Sequence, residues 1–212
     1  MPIEYEAKFL DIDKDEFRGK LTAAGYECTM PEFMFRRQTF DFPIFDAHKW
    51  GRVRWEKDAI TLSIKHIVDK TRIDGTHEFM LTLPLGEDPA RQYADALAFM
   101  QAAGLSKSGE QENKREIWTK NQVEICLDTW PGLSPFMEIE GPDEASVRTA
   151  TTEMGLDFNN AMFGGIDSVY DAVLGIPVEE FVRIKRVTFA EPPLSFANEV
   201  SKGPWAFGLK VE

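Results

Sequence analysis

Five stretches of this chain place charged or polar side chains two residues apart, with apolar ones between. Glu4, Glu6 and Lys8 alternate with Ile3, Tyr5, Ala7 and Phe9, and Arg52 and Arg54 alternate with Val53 and Trp55. Thr61, Ser63 and Lys65 alternate with Ile60, Leu62 and Ile64; Glu124, Cys126 and Asp128 alternate with Val123, Ile125 and Leu127; Glu138 and Glu140 flank Ile139. Residues two apart on a strand share a face. A solvent-washed face needs only Thr, Ser, Gln and Lys, whereas this one repeatedly uses Arg and Glu, with both signs on different strands. The pattern predicts a charged interior that holds a polyanion together with metal ions.

Sorted by sign, the inward set divides in two. Lys8, Arg52, Arg54, Lys65 and Arg115 are basic; Glu4, Glu6, Glu78, Glu124, Asp128, Glu138 and Glu140 are acidic. The planar fork of Arg matches phosphate oxygens, and Lys adds a compact charge, so several cations in one cavity suit a ligand with several phosphates. Carboxylates beside that ligand repel it unless divalent cations intervene. Mg²⁺ or Mn²⁺, which takes oxygen ligands and bridges carboxylates to phosphates, is therefore the expected cofactor. Glu4, Glu6, Glu138 and Glu140 are its natural ligands, as pairs two apart on strands. The chemistry this predicts is metal-assisted phosphoryl or nucleotidyl transfer.

The elements that position these residues are legible from pattern. Asp13 to Gly25 reads as a helix, capped by Asp13 with Glu16 three positions on. Strands are expected near 36–42, 50–56, 60–67, 76–83, 114–119, 122–128 and 135–140, with a tight turn at Lys120-Asn121. Helices are expected over Asp88–Ala103, from Asp143 to Gly155, and over Ile166–Leu174 with Gly175 as its stop. Runs of strands joined by short turns favour an antiparallel α+β fold. If charged faces point inward, the apolar faces need covering by helices. A closed barrel with a polar lumen and helices outside satisfies both demands and leaves no open strand edge. The barrel domain is expected over residues 1–175, followed by a 176–212 extension of a helix and tail. That extension could dock on the barrel, plug it, or support a homodimer.

Composition narrows the partners. The 212 residues carry 36 acidic and 24 basic side chains, a formal charge of -12, which disfavours nucleic acid and membrane surfaces. Cys28 and Cys126 form no CxxC or Cys/His spacing, so neither a zinc site nor a disulfide framework is expected. Cys126 reads as a small residue between strand neighbours. His48, His66 and His77 share no spacing and read as surface or strand residues. Phe33, Phe35, Trp50 and Trp55 read as outer-face packing against helices. The N-terminal MPIEYEAKF lacks a signal-peptide core and no apolar run reaches membrane-spanning length, so a cytoplasmic protein is expected.

The ordered series also resembles the CYTH domain proteins, or triphosphate tunnel metalloenzymes, which include class IV adenylyl cyclases, thiamine triphosphatases and inorganic triphosphatases. Glu4-Tyr5-Glu6-Ala7-Lys8 is similar to the family's signature. Gln38-Thr39-Phe40-Asp41, Arg52-Val53-Arg54, Thr61-Leu62-Ser63-Ile64-Lys65 and Lys114-Arg115-Glu116-Ile117-Trp118 follow in the family's order. So do Cys126-Leu127-Asp128, Phe136-Met137-Glu138-Ile139-Glu140 and Ser168-Val169-Tyr170.

The resemblance implies an eight-stranded antiparallel tunnel that takes a small-molecule triphosphate. In it Lys8, Arg52, Arg54, Lys65 and Arg115 would hold phosphates. Glu4, Glu6, Asp128, Glu138 and Glu140 would hold metal, and Glu78 and Glu124 are further candidates. Glu4, Glu6, Lys65, Glu138 and Glu140 form the expected catalytic set. Three positions depart from the family pattern: Thr76 precedes Glu78, Asn113 stands where lysine is frequent, and Ser134 where glycine is usual. The leading expectation is metal-dependent hydrolysis of tripolyphosphate, thiamine triphosphate or a nucleoside triphosphate. Cyclic AMP synthesis and non-catalytic polyphosphate or nucleotide binding are the alternatives.

Overall fold

The computed structural model describes residues 2–193. Its chain order is β1 (Ile3–Phe9), α1 (Lys14–Ala23), β2 (Glu27–Asp41), β3 (Lys49–Trp55), β4 (Ala59–Ile67), β5 (Thr76–Pro84) and α2 (Pro89–Ala102). There follow β6 (Ser106–Lys120), β7 (Val123–Thr129), β8 (Phe136–Gly141), α3 (Glu144–Glu153), α4 (Ile166–Leu174), α5 (Val178–Phe181) and β9 (Arg186–Val187). The first eight strands run β2-β3-β4-β5-β1-β8-β7-β6, and β6 pairs back onto β2, so the sheet closes on itself. Every pairing within that ring is antiparallel. The short β9 lies outside the ring, parallel to β6 at Glu110 and Gln111, residues that β7 does not pair.

Alternation along each strand turns this ring inside out. The apolar side of β1, β7 and β8 supplies Ala7, Phe9, Ile125, Leu127, Met137 and Ile139 to a buried cluster outside the barrel. Phe17 and Leu21 of α1 and Val147 and Ala150 of α3 complete that cluster. A second cluster joins Phe40, Val53, Ile60 and Leu62 of β2–β4 to Ala96 and Met100 of α2. Gly51 permits this approach, because a Cβ there would lie 2.7 Å from Leu105 and Met100. Burying these side chains supplies the hydrophobic free energy of the fold, and it leaves the polar faces turned to the lumen.

Two strands are longer than pattern predicts. β2 begins at Glu27, nine residues before the expected start, and carries Pro31 between register shifts at Met30 and Phe33. A bulge is where a strand tolerates a residue with no N–H. β6 begins at Ser106, although Ser106 to Asn113 lacks β-branched and aromatic residues. Pairing with the second half of β2 holds it extended, a case of tertiary context overriding propensity. The turn after β6 sits at Asn121-Gln122, one residue later than expected, with both residues left-handed (φ 50° and 65°).

The described part of the extension docks on the barrel, and its Phe181, Val182 and Ile184 also line the lumen cavity. Ile176, Phe181 and Val187 are buried with Trp130, Leu133, Phe136, Val169 and Tyr170. Tyr170 stacks on Phe181 at 4.6 Å between ring centres and donates its hydroxyl to the Pro131 carbonyl. Residues 194–212 of the expected tail lie outside the described residues.

Candidate active site

The lumen holds a cavity of about 570 Å³. Glu4, Glu6, Lys8, Arg52, Arg54, Lys65, Glu78, Arg115, Glu124, Asp128, Glu138 and Glu140 all line it, so the strand phases read from alternation converge on one space. Their distribution follows the strand order. β2 and β1 stand four strands apart in either direction, so an arginine-bearing wall (β2, β3, β6) faces a glutamate-bearing wall (β1, β8).

Between these walls the charges form two alternating chains. In one, Arg52 Nη2 lies 2.9 Å from Glu78 Oε1, Glu78 Oε2 lies 3.4 Å from Lys65 Nζ, and Lys65 Nζ lies 2.9 Å from Glu4 Oε2. This last contact is a close ion pair, although Glu4 Oε2 lacks the alignment of a hydrogen bond. In the other chain, Lys8 Nζ lies 3.2 Å from Glu6 and 3.5 Å from Glu138, and Arg115 Nη2 lies 3.4 Å from Glu138. Arg115 Nε and Nη2 donate to Asp128 Oδ1 and Oδ2 at 2.8 and 2.6 Å. Arg54 pairs with Glu56, which also accepts from Thr61. Glu124 and Glu140, paired across β7 and β8, take part in no ion pair among the described residues.

Burial and like charge set the protonation of the acidic wall. Burial pushes Glu140 up to about 7 against the pull of Lys65, and Glu6, Glu138 and Glu124 push the same way. Burial likewise raises Glu4 to about 9, opposed by Lys65 and helped by a hydrogen bond with Glu78. Glu78 moves in the opposite direction: burial raises it, but Lys65 and Arg52 hold it well below the usual carboxylate range. The two neighbouring carboxyls are thus pushed in opposite directions. Glu138 is also held low, because Lys8, Arg115 and Lys65 outweigh its burial.

The expected metal ligands share the lumen but are largely engaged by lysine and arginine. Among the described residues no three His, Cys, Asp or Glu side chains close into a ligand cluster. The donor chemistry nonetheless suits a hard divalent cation: Glu4, Glu6 and Glu140 offer only carboxylate oxygens to the lumen. Asp128 has both oxygens on Arg115 and also accepts from Asn113 Nδ2, which suits it to orienting that arginine.

Several lumen residues escaped sequence reasoning. Arg37 is buried there; it donates to Asn113 Oδ1 and its guanidinium lies over the Trp130 ring at 4.6 Å. Alternation in Arg37-x-Thr39-x-Asp41 was the available signal, but the Arg36-Arg37 doublet concealed which arginine turns inward. Asn113 is fully buried between Arg37 and Asp128, whereas Lys114 faces outward over Phe189. Phe35 and Trp50 are corrections: Phe35 lies under Arg54 at 5.0 Å and Trp50 lines the cavity, because each shares its phase with inward arginines. Trp55, by contrast, packs outside against Tyr93 of α2. Cys126 is buried on the lumen face opposite Glu138.

The model of the CYTH domain family matches residues 2–162. This chain belongs to the CYTH domain family. A search of curated proteins finds no match to it. Among solved structures, the CYTH chain is similar to the PH1012 protein of Pyrococcus horikoshii OT3, with 18% identity and a TM-score of 0.59, covering 75% of this chain and 94% of that one. It is similar also to a Vibrio parahaemolyticus protein provisionally described as an adenylate cyclase, with 14% identity and a TM-score of 0.62, covering 80% and 98%. The inorganic triphosphatase NE1496 matches at 14% identity over 70% and 80% of the two chains, with a TM-score of 0.32, too slight a likeness to argue from. At these identities the fold is what the Pyrococcus and Vibrio proteins share with this chain. No helix of the described residues is long and apolar enough to cross a membrane.

Proposed function

We propose that this CYTH protein hydrolyses a small triphosphate inside its barrel, with a divalent cation on the glutamate wall. The observation that carries the reading is the opposition of two walls across one lumen, arginines on β2, β3 and β6 and glutamates on β1 and β8. A linear polyphosphate spans such a space with its oxygens on Arg52, Arg54, Arg115 and the lysines, displacing carboxylates from the resting ion pairs. Glu4 and Glu6, displaced from those pairs, and Glu140, with Glu138 beside them, would hold Mg²⁺ or Mn²⁺. When bound, the cation supplies charge neutralisation on phosphate oxygens and polarises the bond to be broken.

The residues themselves orient and exclude. Asp128 keeps the Arg115 fork aligned, Glu78 positions Lys65 and Arg52, and the closed barrel limits the water that reaches the chain. The test is to incubate the purified protein with Mg²⁺ or Mn²⁺ and tripolyphosphate, thiamine triphosphate or ATP, and to identify the products. Orthophosphate release is expected. Cyclic AMP as the product from ATP would replace hydrolysis by a cyclase, and tight binding without turnover would leave a sensor.

A further inference from the structure

Arg37 is distinguished from the other lumen cations by what it lacks. Lys8, Arg52, Arg54, Lys65 and Arg115 each lie within ion-pair distance of a carboxylate. Among the described residues none lies so close to Arg37, which is only 7% exposed. Its side chain is held by neutral groups, the Asn113 carboxamide and the Trp130 ring, and its Nε has no partner. Burial, with Arg52, Arg54 and Arg115 close by, pushes its pKa well down, and Asp128, beyond Asn113, offsets only part of this. A buried unpaired charge costs several kcal/mol, so the fold keeps this guanidinium oriented at a penalty that a bound anion would remove.

The surroundings specify which part of a ligand would sit there. Arg37 is on β2, directly across the ring from β1 and its glutamates. Beside it, Trp130 belongs to the apolar cluster of Phe136, Tyr170 and Phe181, so the lumen meets an apolar wall on that side. A polyphosphate chain reaching that wall has to end there. A terminal phosphoryl group has three non-bridging oxygens against two on an internal one, and so offers most charge to a fork with free donors.

We propose that Arg37, held by Asn113 and Trp130, forms an anion subsite that receives the terminal phosphoryl group of a linear polyphosphate at the lumen end away from the glutamate wall. The proposal rests on the triphosphate reading above and assigns one end of its ligand. It is tested by calorimetric titration with imidotriphosphate, whose P–N–P links resist hydrolysis, in Mg²⁺, on wild type, Arg37→Met and Arg37→Lys, with thermal unfolding of each unliganded protein.

Arg37→Met should weaken binding about 10- to 100-fold, as expected for a lost charged hydrogen bond, and Arg37→Lys should recover part of that loss. Unliganded Arg37→Met should unfold at a higher temperature than wild type, because the uncompensated charge is gone. Unchanged affinity in Arg37→Met overturns the subsite while leaving the triphosphate reading intact. Lost affinity with no recovery in Arg37→Lys, or with a lowered unfolding temperature, makes Arg37 structural and also overturns it. Wild type that binds no imidotriphosphate overturns the triphosphate reading and the subsite together.

Discussion

Arg115 of β6 and Asp128 of β7 meet as cross-strand partners in a two-pronged ion pair, and the carboxylate has no solvent exposure. A buried pair of this kind is worth little over an apolar replacement, but removing one partner strands the other charge. Asp128→Ala should therefore destabilise the protein by about 3–5 kcal/mol. The corresponding loss in unfolding temperature is about 6–20 °C for a chain of this size, read by calorimetry. An unchanged midpoint would show that Arg115 finds other compensation, with Glu138 the nearest candidate.

Glu138 differs because its partners are shared. Lys8 retains Glu6 and Arg115 retains Asp128 when Glu138 is truncated, so Glu138→Ala should keep its circular dichroism spectrum. Turnover should fall by ~100-fold or more if this carboxylate helps hold the divalent cation. Full activity in a folded Glu138→Ala protein would remove it from the metal side.

Arg54 lies over Phe35 and pairs with Glu56, away from the glutamate wall. Its expected part is to grip the ligand. Arg54→Ala should raise KM about 10-fold or more with kcat within a few-fold of wild type, since a charged hydrogen bond is worth roughly 1.5–3 kcal/mol. Steady-state kinetics decide this, and a kcat defect at unchanged KM would argue for a contact made only in the transition state.

Glu140 gives the protein a pH signature. Its folded pKa of about 7 stands above the ordinary glutamate value, so between those two pH values the folded state binds more protons than the unfolded state. Stability without divalent ions should therefore fall as pH rises through this window, while divalent-cation affinity should rise as Glu140 gives up its proton. In Glu140→Gln both slopes should flatten. Urea unfolding in EDTA and Mg²⁺ titration, each at pH 5 to 8, measure them. An equal slope in the variant would assign the effect to another group, Glu4 first.

Glu4, Glu6, Lys8, Arg52, Arg54 and Lys65 were readable in the sequence because an inward residue of a half-buried strand betrays its phase by the apolar neighbours on either side. Arg37, Asn113 and Phe35 were not. They lie where β2 and β6 run 15 residues each through bulges and polar segments, and there alternation does not declare a face. The pairing of Arg37 with Arg54 across β2 and β3 decides it instead.

Local sequence thus determined strand phase and charge sign, because both are properties of residues two apart on one chain. From those followed an inside-out barrel and a lumen charged for phosphate and metal. Only the tertiary structure decided which charges neutralise one another, that β1 stands opposite β2, and that Arg37, alone among the described lumen cations, has no carboxylate within ion-pair distance. Those are relations between strands distant in sequence, set by ring closure and register, and alternation within one strand contains no information about them.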